Sequence, residues 1–172
     1  MKIEEIQIKF SGFINAIRQC IMINQVQAGL ILFYSCIDNL SWLNRKHESK
    51  GVTKSDFCDW VSLYYLHRLN RDVSAIDLYA ARCALIHSGT PDSLLSKEMR
   101  ARKIFYSYGK GEPDELSYLI RSRGKNDFVV LHVDEMIDAF EKSITDFLCQ
   151  DERMQVFIER SKSLFIDIRI IE

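Results

Sequence analysis

Glycine and proline are scarce in this chain, with seven of the former and two of the latter in 172 residues. Neither low-complexity tracts nor internal repeats accompany them, which excludes repeat architectures and biased linkers. Cysteine is present but unpatterned. The five thiols at positions 20, 36, 58, 83 and 149 form no CxxC pair and match no zinc module. That excludes a disulfide framework and favours reduced thiols. Neither sign of charge dominates, because 23 basic residues face 24 acidic ones for a formal net charge of −1. No global positive field draws in nucleic acid, so any RNA binding has to come from a local patch or a partner subunit.

Long apolar runs are missing too. The charge-free span between Arg18 and Asp38 contains Asn24, Gln25 and Gln27, and its apolar part runs only from Ala28 to Ile37. That is too short for a bilayer of ~30 Å and reads as a buried core helix. The opening MKIEEIQIKF alternates apolar and charged residues, without the apolar stretch of a signal peptide. The expectation is a cytoplasmic protein with neither export signal nor membrane span. Paired carboxylates, a glycine-rich phosphate loop and a Ser-His-Asp ordering are all absent. Asp56 and Asp59, like Glu112, Asp114 and Glu115, read as caps and loop charges. Cys83 and His87 stand four apart on one helix face, but no second pair completes a metal site, and His47, His67 and His132 are isolated. No metal and no cofactor are expected.

What is there is ordinary globular composition, 47% hydrophobic and 27% charged. At this length one core buries roughly 70% of the unfolded surface, enough for a single domain spanning 1–172. Apolar residues at 3, 6, 10, 13, 14, 17 and 21 mark one face of a helix from Ile3 to Ile23. Gln25 to Arg45 is a second helix, apolar on several sides and so destined for the middle of a bundle. A polar loop, Lys46 to Val52, follows. Thr53 and Asp56 form a capping box for a third helix through Trp60, Leu63 and Leu66. Ser74 and Asp77 repeat that signal for a helix with Ile76, Tyr79, Ala80, Cys83 and Ile86 on one stripe. Gly89 suits its left-handed C′ position and Pro91 cannot continue it.

A short helix is expected from Asp92 to Arg102. Lys103–Tyr108 and Phe128–Val133 are β-like, with aromatic or β-branched enrichment. They read as a small hairpin, with Gly109 to Asp127 as a long connecting loop, so that 103–133 forms an insertion. Asp134 is expected to cap another long helix bearing Met136, Ile137, Phe140, Ile144, Phe147 and Leu148. Glu152 to Ser163 is helical in pattern, and Phe165 to Ile171 alternates like a strand. The architecture expected is all-α in the main: an antiparallel bundle of four to six helices with a minor β element.

One constellation invites chemistry. Arg82 and His87 stand five residues apart near the end of an apolar helix. Five residues rotate the second side chain about 140° from the first and raise it ~7.5 Å. The pair converges on one ligand only if the arginine arm wraps round the helix, or if two copies of the helix meet across a two-fold axis. In the last turn, the negative end of the helix dipole favours a charged imidazole at His87. Histidine can move a proton, and arginine can stabilise charge building on phosphate oxygens.

Arg82 and His87, the run Asp77–Arg82, and Tyr34–Leu40 on the earlier apolar helix resemble the HEPN superfamily (higher eukaryotes and prokaryotes nucleotide-binding). Its signature is arginine, four to six residues, then histidine near a helix end. The resemblance covers roughly residues 1–105 and 134–150. It implies a compact helical bundle that dimerises through the signature helices. It also implies a metal-independent endoribonuclease of toxin, abortive-infection or other defence type, with Arg82 and His87 catalytic. An antitoxin or another defence protein would be the partner. Active members often carry a polar residue after the arginine, where this chain has Cys83. His87 is followed by Ser88-Gly89, which matches no tyrosine-modified member. The alternative is a non-catalytic helical module that binds a nucleotide or a protein.

Two basic clusters complete the reading. Arg100, Arg102 and Lys103 form one, and Arg121, Arg123 and Lys125 the other. Placed beside the cleft they would guide an RNA backbone; otherwise they are a solvated helix end and loop. Phe105, Tyr106 and Tyr108 either stack bases or pack in the core.

Overall fold

The computed structural model describes residues 2–46, 51–89 and 92–165. Most of the expected strand-like segment at the C-terminus, like His47 and Pro91, lies outside those residues. Two long helices open the chain, α1 (Ile3–Met22) and α2 (Val26–Asn44). Helix α1 buries the stripe Ile6, Phe10, Ile14 and Ile17, while α2 is buried on several sides, from Leu30 and Phe33 through Ile37 to Leu43. Helix α2 is therefore the central helix its composition predicts.

Thr53 caps α3 (Lys54–Trp60), accepting from the Asp56 N–H at 3.2 Å while the Asp56 carboxylate accepts from the Thr53 N–H at 2.9 Å. Beyond Trp60 the helix widens into a π-turn, Val61–Tyr65, and then tightens into a 3₁₀ turn, Leu66–Arg68. The wider turn changes the angular phase. Val61 and Tyr65 are buried as a result, and Leu63, expected on the apolar stripe, is 60% exposed. Helices α4 (Ala75–Ser88) and α5 (Leu94–Lys97) follow. Helix α5 is shorter than expected because Ser93 caps it and residues 98–102 turn into the next strand.

The β element corrects the hairpin reading. Strands β1 (Lys103–Ser107) and β2 (Phe128–His132) pair in parallel, in register from Lys103 opposite Phe128 to Ser107 opposite His132. Parallel strands need a crossover, and the expected loop contains one: α6 (Pro113–Ser122). Pro113 at its first position and Asp114 and Glu115 in its first turn are start signals, and Pro113 and Ile120 are buried. Helix α7 (Val133–Leu148) continues directly from β2, with His132 at the cap position and Asp134 inside the first turn. Asp134 is therefore not the cap.

Helix α7 closes the core. The Phe140 ring centroid lies 4.8 Å from Phe33, 5.9 Å from Trp60 and 6.0 Å from Tyr65, in edge-to-face arrangements. Helix α8 (Met154–Ser161) adds Phe157, 4.6 Å from Phe147. The arginines at its start and in its last turn also finish α2, whose last carbonyls have no intrahelical donors. Arg153 donates to the Asn44 carbonyl at 2.9 Å and Arg160 to that of Leu43 at 2.8 Å. No helix among the described residues is long and apolar enough to cross a membrane.

Candidate functional site

Helix α4 begins and ends as its sequence dictates. The Ser74 hydroxyl accepts from the Asp77 N–H at 3.2 Å, and the Asp77 carboxylate accepts from the Ser74 N–H at 3.0 Å. At the other end Gly89 takes φ +62°, the left-handed conformation that costs glycine least, and its N–H donates to the Leu85 carbonyl at 3.2 Å. The helix packs against α2, α3 and β1.

Arg82 and His87 meet within one chain. The Arg82 arm wraps across the helix surface, and its Nη1 lies 3.0 Å from His87 Nε2. Its other two nitrogens are held from α2, with Nε donating at 3.1 Å and Nη2 at 2.7 Å to one carboxylate oxygen of Asp38. Both members of that ion pair are about 20% exposed, so bulk water screens it only partly. Burial works against the Arg82 charge, but the Asp38 carboxylate outweighs it and raises the Arg82 pKa. His87 itself is exposed.

The Arg82–His87 contact assigns a tautomer. A guanidinium nitrogen only donates, so Nε2 of His87 accepts and the neutral ring carries its proton on Nδ1. Imidazole ¹⁵N shifts near pH 8 should therefore show an unprotonated Nε2. Arg82→Ala or Asp38→Ala should redistribute the proton between the two nitrogens. A ring protonated on Nε2 in the unmodified protein would contradict the contact.

Asp38 is the site residue that sequence reasoning left out. It is the single charged side chain of α2. A lone carboxylate in an otherwise uncharged, largely buried helix needs a cationic partner, and that signal was legible. Cys83 adds a thiol beside Arg82 and Tyr79, and the Tyr79 hydroxyl pKa is raised by burial and by that thiol. Among the described residues no group of three or more His, Cys, Asp or Glu gathers to hold a metal ion.

The basic clusters are occupied to different degrees. Arg102 clamps the start of α4. Its Nε and Nη2 donate to one Asp77 oxygen at 3.1 and 2.8 Å, its backbone N–H donates to the other at 2.7 Å, and Nη1 reaches Asp72 at 3.0 Å. Lys103 is paired with Asp92, and Arg100 lies 3.3 Å from Glu98. Arg121 and Lys125 sit over the Phe128 and Phe105 rings at 5.9 and 5.7 Å, within cation–π range. Arg123 is exposed at the end of α6. Of the aromatic candidates, Phe105 packs edge-to-face on Phe128. The Tyr106 and Tyr34 hydroxyls share a hydrogen bond of 2.7 Å, and Tyr108 donates to the Asn24 side chain at 2.8 Å.

Comparison with protein-family models, curated proteins and solved structures finds no match to this chain.

Proposed function

We propose that this protein is a metal-independent endoribonuclease of the HEPN type, with Arg82 and His87 as its catalytic residues and Asp38 positioning the arginine. The observation that carries the reading is the 3.0 Å approach of Arg82 Nη1 to His87 Nε2 on the exposed end of α4. It puts a proton acceptor and a permanent positive charge within reach of one phosphodiester.

The contact defines a resting state. An RNA phosphate competes with His87 for the Arg82 N–H groups, because a charge-assisted bond to a phosphate oxygen is stronger than one to a neutral imidazole. Once Arg82 turns to the phosphate, the Nε2 lone pair of His87 is free. It removes the ribose 2′-hydroxyl proton as O2′ bonds to phosphorus, and Arg82 neutralises charge on the non-bridging oxygens. The P–O5′ bond then breaks, His87 returns the proton to O5′, and the products are a 2′,3′-cyclic phosphate and a 5′-hydroxyl end. Dependence on the 2′-hydroxyl restricts the substrate to RNA. Asp38 keeps two of the three guanidinium nitrogens, so only Nη1 has to change partner. A homodimer through α4 and an antitoxin-like partner belong to the same reading.

The test is incubation with single-stranded RNA in EDTA. The expected result is cleavage that leaves cyclic phosphate ends. Arg82→Ala and His87→Ala should each lower the rate by about 10²–10⁴-fold. Cleavage that survives both substitutions removes these roles. Binding without cleavage in the unmodified protein selects the non-catalytic module instead.

A further inference from the structure

A second site lies away from Arg82 and His87, where the turn after Tyr65 faces the junction of β2 and α7. The π-turn and the 3₁₀ turn after it deliver His67, Arg68 and Arg71 to one wall. The Tyr65 hydroxyl pins this wall by donating to the Met136 carbonyl at 3.1 Å. His132 and Lys142 stand on the other wall, and the cleft between has a volume of about 370 Å³, within the size range of small-molecule sites. It opens beside the carboxyl end of β2, where ligands bind in sheets with parallel strands.

Two buried polar atoms of lining residues have no hydrogen-bond partner, Arg68 Nε and His132 Nδ1, the latter 3.8 Å from an Asp134 carboxylate oxygen. Buried groups of this kind are rarely left unsatisfied, and each marks a hydrogen bond still to be made. They ask for opposite things. Arg68 Nε–H needs an acceptor. His132 donates from Nε2 to the Gly109 carbonyl at 3.2 Å, so the Nδ1 of the neutral ring needs a donor. The lining carries three permanent cations, Arg68, Arg71 and Lys142, against two carboxylates, Glu135 and Asp138. Arg68 pairs through Nη2 with Asp146 and Arg71 spends one nitrogen on Asp114 at 2.6 Å, each keeping further N–H groups, and Lys142 makes no ion pair among the described residues. Of the two acids in the lining, Asp138 is already paired with Arg18 at 2.8 Å, which leaves Glu135 as the unpaired carboxylate there.

We infer that this cleft binds a small phosphate monoester carrying a sugar hydroxyl, of pentose phosphate or mononucleotide size. Arg68, Arg71 and Lys142 take the phosphate oxygens, and the hydroxyl donates to His132 Nδ1. The leucine and alanine floor, Leu69, Leu131 and Ala139, carries no competing polar group.

Calorimetric titration of the full chain with ribose 5-phosphate, AMP, inorganic phosphate and ribose tests this. Saturable binding of ribose 5-phosphate or AMP is expected, weaker binding of phosphate alone, and none of ribose. The tighter of the first two tells whether the ligand is a free sugar phosphate or a nucleotide. Lys142→Ala, at an exposed position, should raise Kd about tenfold. Arg71→Ala should do the same, with thermal melts confirming that both variants fold. No saturable binding of either monoester up to about 10 mM overturns the inference. So does a Kd that neither variant changes, and phosphate binding as tightly as the esters removes the hydroxyl contact to His132. Neither Arg82 nor His87 takes part, so these outcomes are independent of RNA cleavage.

Discussion

Asp77→Ala is expected to destabilise the protein by about 3–5 kcal/mol in urea unfolding, the range for removing one partner of a buried ion pair. Two roles meet in this carboxylate, whose side chain is 3% exposed. It closes the capping box of α4 with Ser74, a contribution of about 1 kcal/mol. It also takes three hydrogen bonds from Arg102, which fasten the segment entering β1 to the start of α4. Alanine leaves the Arg102 guanidinium half-buried with only the exposed Asp72 opposite it. Asp77→Asn keeps the cap and the shape but drops the charge, so it should cost clearly less. Equal losses for the two variants would show that the charge alone matters and the cap contributes nothing.

The same residue sets a pH dependence. Burial alone would raise the Asp77 pKa. The N–H groups of Ser74 and Arg102, with their side chains, outweigh it and hold the value below the ordinary 3.8. A carboxylate with a depressed folded-state pKa contributes stability above its unfolded pKa, and that contribution is lost as pH falls through the folded value. Unfolding free energy should therefore fall below about pH 4, and the Asp77→Ala variant should show a smaller drop over the same range.

Phe140→Ala should cost about 3–5 kcal/mol, the range for deleting a buried phenyl ring. Phe140 is fully buried and touches three aromatic neighbours from three different elements, Phe33 on α2, Trp60 at the end of α3 and Tyr65 in the π-turn. None of them can collapse into the space without breaking its other ring contacts, so most of the cavity should persist. Phe140→Leu, which leaves a smaller void, should cost less than half as much. The midpoint of urea unfolding distinguishes the two. A loss below about 1 kcal/mol for alanine would mean that the site repacks.

How much of this was legible beforehand depends on the range of the interaction involved. Helix starts and stops rest on neighbours within four residues. Thr53 with Asp56, Ser74 with Asp77, and Gly89 at its left-handed cap were all readable from the chain. The central place of α2 followed from its composition, because a helix apolar on several sides and carrying a single charge can be satisfied only by packing on several sides. The β element was readable as two strands but not as a parallel pair, since orientation depends on what the connecting residues do. The glycines of the Gly109–Asp127 stretch point to turns, although Pro113, Asp114, Glu115 and Ile120 carry the marks of a helix. The π-turn after Trp60 was invisible, because it answers to the packing of Tyr65 against α7 and to no local motif.

At the candidate site the division is sharper. By itself the sequence determined that Arg82 and His87 share the end of a helix that stops at Gly89, a matter of spacing and caps. Only the tertiary structure decided that the two touch. An ideal helix holds them about 140° apart. What brings the guanidinium round to His87 is Asp38, forty-four residues earlier on α2, which takes two of its nitrogens and leaves the third for the imidazole.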